Sequence, residues 1–121
     1  MRGDAKTILV VEDEFLVRLD VALQLEDEGF EVVSAGTADE ALEVLPIEPV
    51  DVVFTDINMP GQIDGLQLAH EVLTNWPKVN VIITSGRKYD GSVLPQNALF
   101  VAKPYDINQV VKTIRELERS H

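Results

Sequence analysis

Glu12, Asp13, Asp56, Thr84 and Lys103 each follow directly on a short apolar run. Ile8-Leu9-Val10-Val11 leads to Glu12-Asp13, Val52-Val53-Phe54-Thr55 to Asp56, Val81-Ile82-Ile83 to Thr84, and Leu99-Phe100-Val101-Ala102 to Lys103. Carboxylates such as Glu12, Asp13 and Asp56, if gathered at one place, repel one another and at neutral pH require a counter-cation or a raised pKa. Magnesium suits oxygen-only ligands, because it takes one or two carboxylates, some waters and a phosphate oxygen rather than an all-protein cage. Lys103, fixed against Pro104, presents an ammonium that neutralises a phosphate or pairs with a carboxylate. Thr84 offers a hydroxyl donor, although threonine is also simply a good strand residue. A carboxylate nucleophile, a divalent cation, a lysine and a hydroxyl form the minimum set for in-line phosphoryl transfer onto an aspartate. Positioning and charge neutralisation supply most of that catalysis. An acidic pair after a strand reads more simply as a helix cap or dipole partner, but that reading leaves Asp56, Thr84 and Lys103 on one rim unexplained.

The rim exists only if the apolar runs are neighbouring parallel strands. The run at 8–11 is continuous and β-branched, as a strand buried on both faces requires. A helix is predicted over 14–28, with Asp13 as N-cap, acidic residues in its first turn and Gly29 as its stop. A strand over 31–34 follows. Thr37 and Glu40 have capping-box spacing for a helix through Leu45, ended by Pro46 and Pro49. A third strand covers 50–55, a loop holds Asn58-Met59-Pro60-Gly61, and a helix runs from Gly65 to about Trp76, where Pro77 ends it. A fourth strand spans 79–84. The stretch 85–97, with Gly86, Gly91 and Pro95, predicts a fourth helix that is short or irregular. A strand over 99–102 and an amphipathic helix over 107–117 complete the chain. This alternation predicts an α/β fold: a doubly wound five-stranded parallel sheet with helices on both faces. Ligands of such sheets collect at the carboxyl ends of the strands.

The first helix carries two apolar stripes. At about 100° per residue, Val17, Val21 and Leu25 form one, and Phe15, Leu19 and Leu23 form another well away from it. Only one stripe points fully at the sheet. The other either widens the buried face into neighbouring helices or stands exposed as a docking strip beside the rim, with Pro104 and Tyr105 as further candidates for partner contact.

A chain of 121 residues fits one domain, 1–121 with a core of about 6–118. Twenty-one acidic against ten basic residues give a net charge of -11, which argues against nucleic acid and anionic membranes as partners. No cysteine excludes disulfides and zinc-thiolate sites, and two histidines, His70 and His121, make a histidine-rich metal site improbable. Neither a signal segment nor a membrane span is long enough to be present, so a cytoplasmic protein is expected.

Taken in order and spacing, Val10-Val11-Glu12-Asp13-Glu14, Asp56-Ile57-Asn58-Met59-Pro60-Gly61, Asp64-Gly65-Leu66, Thr84-Ser85-Gly86 and Lys103-Pro104-Tyr105 closely resemble the receiver domain of bacterial two-component response regulators, over about residues 6–118. Within that family, Met59-Pro60-Gly61, Trp76-Pro77, Thr84-Ser85-Gly86 and Lys103-Pro104-Tyr105 in sequence resemble single-domain regulators and hybrid-kinase receivers of alphaproteobacteria. The resemblance implies the flavodoxin-like strand order 2-1-3-4-5, and that Asp56 is the phospho-acceptor for a sensor histidine kinase or histidine phosphotransfer protein. It implies that Asp13, Asp56 and the Asn58 carbonyl bind Mg2+ directly and Glu12 through water. It further implies that Lys103, Thr84 and Ser85 bind phosphate, that the Lys103–Pro104 bond is cis, and that Thr84 and Phe100 form the conformational switch. Such a module catalyses only its own phosphotransfer and autodephosphorylation, and a monomer or weak homodimer is expected. If Met1 and His121 are true termini, output is by protein contact or by competition for phosphoryl groups.

Several positions depart from the family pattern. Glu12 stands where many members have Asp, Ser85 replaces a commoner alanine, the Asp56–Gly65 stretch is about one residue longer than usual, and 86–97 is shortened and broken by proline. Rival classes remain on the sequence. An aspartyl-phosphate phohydrolase of the haloacid-dehalogenase kind wants an aspartate at position 58, which is Asn. A flavodoxin would set its flavin phosphate against Glu12, Asp13 and Glu14. A pseudo-receiver would bind partners without phosphorylation, although every required residue is present.

Overall fold

The computed structural model describes residues 5–57, 63–86, 95 and 97–119. The apolar runs form the strands β1 (Thr7–Val11), β2 (Glu31–Ala35), β3 (Val52–Asp56), β4 (Asn80–Ser85) and β5 (Ala98–Ala102). The helices among the described residues are α1 (Phe15–Asp27), α2 (Ala38–Val44), α3 (Gly65–Asn75) and α4 (Ile107–Arg119). All strands pair in parallel in the order β2-β1-β3-β4-β5, as predicted. No described helix is long and apolar enough to cross a membrane.

Strand side chains alternate between faces, and the sheet sorts them into two cores. Leu9, Val11, Val53, Val81 and Ile83 pack with Ala41 of α2 and Leu68 and Val72 of α3. Ile8, Val10, Val52, Phe54 and Ile82 pack on the other face with Val21 and Leu25 of α1 and Val110 and Ile114 of α4. Fully burying a side chain of this size stabilises by about 1.5–3 kcal/mol, which explains why β1 and β3 are continuous apolar runs.

Helix α1 departs from expectation at its start. Asp13 is not the N-cap: Glu14 takes that position without a side-chain cap bond, and the first turn holds no acidic residue. The physical reason lies one residue earlier, where a Glu12 carboxylate oxygen folds back to accept the Glu14 N–H at 3.0 Å. At the other end Gly29 adopts φ 98°, its N–H donating to Glu26 O while Phe30 N–H donates to Leu25 O. This left-handed turn favours glycine.

Thr37 caps α2 by accepting the Glu40 N–H, but Glu40 answers the Gly36 N–H rather than that of Thr37, so the expected capping box is only half formed. A complete box opens α3 instead, between Asp64 and Gln67. Strand β3 starts two residues later than the predicted 50–55 and β4 extends to Ser85. The Asn58-Met59-Pro60-Gly61 loop and most of 85–97, with its short or irregular fourth helix, lie outside the described residues.

Candidate functional site

Register and alternation together build the rim. Asp56 pairs with Thr84, and Val11 pairs with Thr55, so Glu12 comes level with Asp56 one step past its strand. Asp56 shares its parity with Val52 and Phe54, Thr84 with Ile82, Glu12 with Ile8 and Val10, and Lys103 with Val101; these apolar residues all belong to the core beneath α1 and α4. The period of two thus points Glu12, Asp56, Thr84 and Lys103 to the same side.

At that corner Asp56 is buried and its carboxylate is paired with the Lys103 ammonium. Lys103 is carried there by its N–H bond to Ser85 O, at 2.9 Å, and by a cis peptide bond to Pro104. Thr84 is buried, and among the described residues its hydroxyl Oγ1 has no hydrogen-bond partner. Ser85 is wholly buried next to it. Burial holds the Glu12 carboxyl above the ordinary carboxylate range. The Glu14 amide opposes this, Asp13 adds to it by a side-chain hydrogen bond, Lys103 lowers it and Asp56 raises it again. Asp13 itself is exposed at the mouth.

Among the described residues, no group of three His, Cys, Asp or Glu side chains is close enough to cage a metal. Magnesium needs less, since it keeps several waters and uses one or two carboxylates. Two buried carboxylates beside a water-facing one, all oxygen donors, fit that requirement. Asn58 lies outside the described residues.

The remaining sequence-predicted residues divide by face. Phe100 is half-buried and packs against the core beneath α2 and α3, opposite the Asp56 corner. On α1, Val21, Ala22 and Leu25 are buried, whereas Phe15, Leu19 and Leu23 are 61%, 43% and 53% exposed. The second stripe is therefore not part of a broad buried face; even Val17 is 42% exposed. Tyr105 sets its ring edge-on to Phe54 at 5.5 Å, and burial, followed by the charges of Glu12, Asp56 and Asp20, pushes its phenol up to about 12. Val17, Val21, Lys103, Pro104, Tyr105 and Ile107 line a groove of about 620 Å³ between α1 and the loop into α4.

Two contacts at the site go beyond the sequence reading. A Cβ on Gly65 would lie 2.0 Å from the Asp56 carbonyl oxygen, so glycine lets the start of α3 close on the strand end through Gly65 N–H to Ile57 O at 3.0 Å. The Asp64-x-x-Gln67 spacing signalled that helix start. Arg18 donates from Nη1 to the Glu12 carbonyl at 2.7 Å, and no local pattern announces such a contact.

A family model for the response regulator receiver domain matches residues 8–115. The chain is 31% identical over 113 residues to the transcriptional regulatory protein PdtaR of Mycobacterium tuberculosis, covering 90% of this chain and 55% of that protein. It is 34% identical over 117 residues to the sensor kinase CckA of Brucella abortus, covering 92% of this chain and 12% of that protein. It thus spans about half of the first relative and a small part of the second. Among solved structures, a response regulator receiver protein from Sinorhizobium medicae matches with a TM-score of 0.87 at 28% identity, with 95% of each chain covered. The response regulator TrrA of Thermotoga maritima, in complex with Mg2+-BeF, matches with a TM-score of 0.81 at 28% identity over 93% of this chain and 98% of that one. With its strand order, its rim and a family match that covers most of its length, the chain belongs to the response regulator receiver domain family of two-component systems.

Proposed function

We propose that the chain is a single receiver domain, with a core of about 6–118, in which Asp56 accepts a phosphoryl group from a histidine kinase or histidine phosphotransfer protein. The carrying observation is the Asp56 corner: a buried carboxylate paired with Lys103 beside a buried Thr84 hydroxyl that has no partner among the described residues. An unsatisfied buried hydroxyl costs about 1–3 kcal/mol, and a phosphoryl oxygen on Asp56 is the acceptor it lacks. In the transfer an Asp56 oxygen forms the new O–P bond as the P–N bond of phosphohistidine breaks, the electron pair returning to the imidazole nitrogen. Lys103 passes from the carboxylate to the phosphoryl oxygens, and Thr84 contacts the same group through its hydroxyl, with Ser85 contributing from the backbone because its side chain points to the other face of the sheet. Movement of Thr84 then carries to Phe100 and alters the surface offered to a protein partner.

Asp13 and Asp56 would hold magnesium directly, with Glu12 acting through water and the Asn58 carbonyl completing the set. Magnesium, when bound, offsets the charge of the transferring phosphoryl oxygens. The exposed Phe15, Leu19 and Leu23 of α1, together with Pro104 and Tyr105, which line the groove facing Val17 and Val21, form the surface on which the phosphodonor docks. Acetyl phosphate with magnesium should add one phosphoryl group, and a chelator should abolish the addition. A chain that stays unmodified in both conditions contradicts the proposal.

A further inference from the structure

Arg18 is a second cation beside the rim, and the phosphoryl-transfer reading gives it no task. Its guanidinium donates to the Glu12 carbonyl at 2.7 Å, lies over the Phe15 ring at 5.4 Å, and approaches Gly36 so closely that a Cβ there would sit 3.2 Å from Nη1. Among the described residues it forms no ion pair, so its contact is with the peptide joining Glu12 to Asp13 rather than with either carboxylate. Three bonds then close a ring at the loop. The Glu14 N–H donates to the Glu12 carboxylate, the Arg18 N–H donates to Glu14 O at 2.9 Å, and the Arg18 side chain returns to Glu12 O. The Glu12 N–H also donates to Ala35 O at 3.1 Å, which ties the same loop to the end of β2.

α1 has no side-chain bond from its N-cap residue and no acidic first turn, and this ring, with the Glu12–Ala35 bond, spans the loop-to-helix junction. The neighbouring Glu12 and Asp13 carboxylates repel one another when ionised and push the loop to splay. A charge-assisted bond to the peptide between them opposes that motion. We infer that Arg18 is a positioning residue: it fixes the Glu12–Asp13 peptide so that both carboxylates are set for magnesium before the ion arrives. The inference rests on the reading of Glu12, Asp13 and Asp56 as a magnesium site.

Calorimetric titration of magnesium chloride into the unphosphorylated chain tests it on the wild type, Arg18→Ala and Arg18→Lys. Removing a group that orients metal ligands weakens affinity by about tenfold or more, and Arg18→Ala should show that loss. Arg18→Lys, which keeps a donor, should recover part of it. With acetyl phosphate as donor, the half-saturating magnesium concentration should rise by the same factor while the rate at saturating magnesium is preserved. An Arg18→Ala affinity within about twofold of wild type, well short of the loss expected of an orienting group, overturns the inference alone. A fall in the saturated rate at unchanged affinity does so too. A wild-type chain that binds no magnesium overturns the reading of the site and this inference with it.

Discussion

Lys103 and Tyr105 sit two residues apart, and the same carboxylates act on them in opposite senses. The Lys103 ammonium is drawn to Asp56, and replacing it removes the donor that follows the charge onto the phosphoryl group. Lys103→Ala should slow phosphorylation by acetyl phosphate on the order of 100-fold, the usual cost of losing one such donor. Magnesium affinity should hold or tighten, because a competing cation has gone. An unchanged rate at saturating magnesium would remove Lys103 from the mechanism. For the Tyr105 phenol the carboxylates are repulsive, adding to burial and raising it from 10.0 to about 12. Because the folded value lies above the unfolded one, the stabilisation is complete below pH 10.0 and is lost as pH rises toward about 12. Phenolate absorbance of the magnesium-free protein, with Tyr105→Phe as the difference reference, should show one titration near the upper value; ionisation near 10 would contradict the burial described.

The helix starts show what the chain makes legible and what it hides. Parallel strands buried on both faces must be apolar throughout, so β1 and β3 could be read from composition, and their polar successors could be read as a rim. The Asp64-x-x-Gln67 box was equally local and simply passed over. Glu14 as N-cap was not legible, since it depends on Glu12 folding back on its own loop, and Arg18 meets Glu12 O only once α1 is docked. The two stripes of α1 hold equal apolar content, so sequence alone could not choose between them; the sheet takes Val21 and Leu25 and leaves Leu19 outside. Leu19→Asp should therefore leave the acetyl phosphate rate intact and slow transfer from a phosphorylated kinase at least several-fold. Equal slowing from both donors would instead signal a folding defect. At α3, Gly65→Ala forces a Cβ onto the Asp56 carbonyl, and denaturant unfolding should register a loss of about 1–3 kcal/mol or more. Full stability would mean that the strand end and the helix start can separate freely.

For the whole molecule, the parallel sheet and two-sided core followed from alternation and handedness and the strand order from the family resemblance, and together they converge Glu12, Asp56, Thr84 and Lys103 on one corner. The net charge of -11 disfavours nucleic acid as a direct partner at long range. The fold supplies the geometry and the corner supplies the chemistry. Intact mass of wild type and Asp56→Asn after incubation with magnesium and acetyl phosphate tests that account most directly. It predicts one phosphoryl adduct on the wild type and none on the variant; an adduct that persists on Asp56→Asn would contradict it.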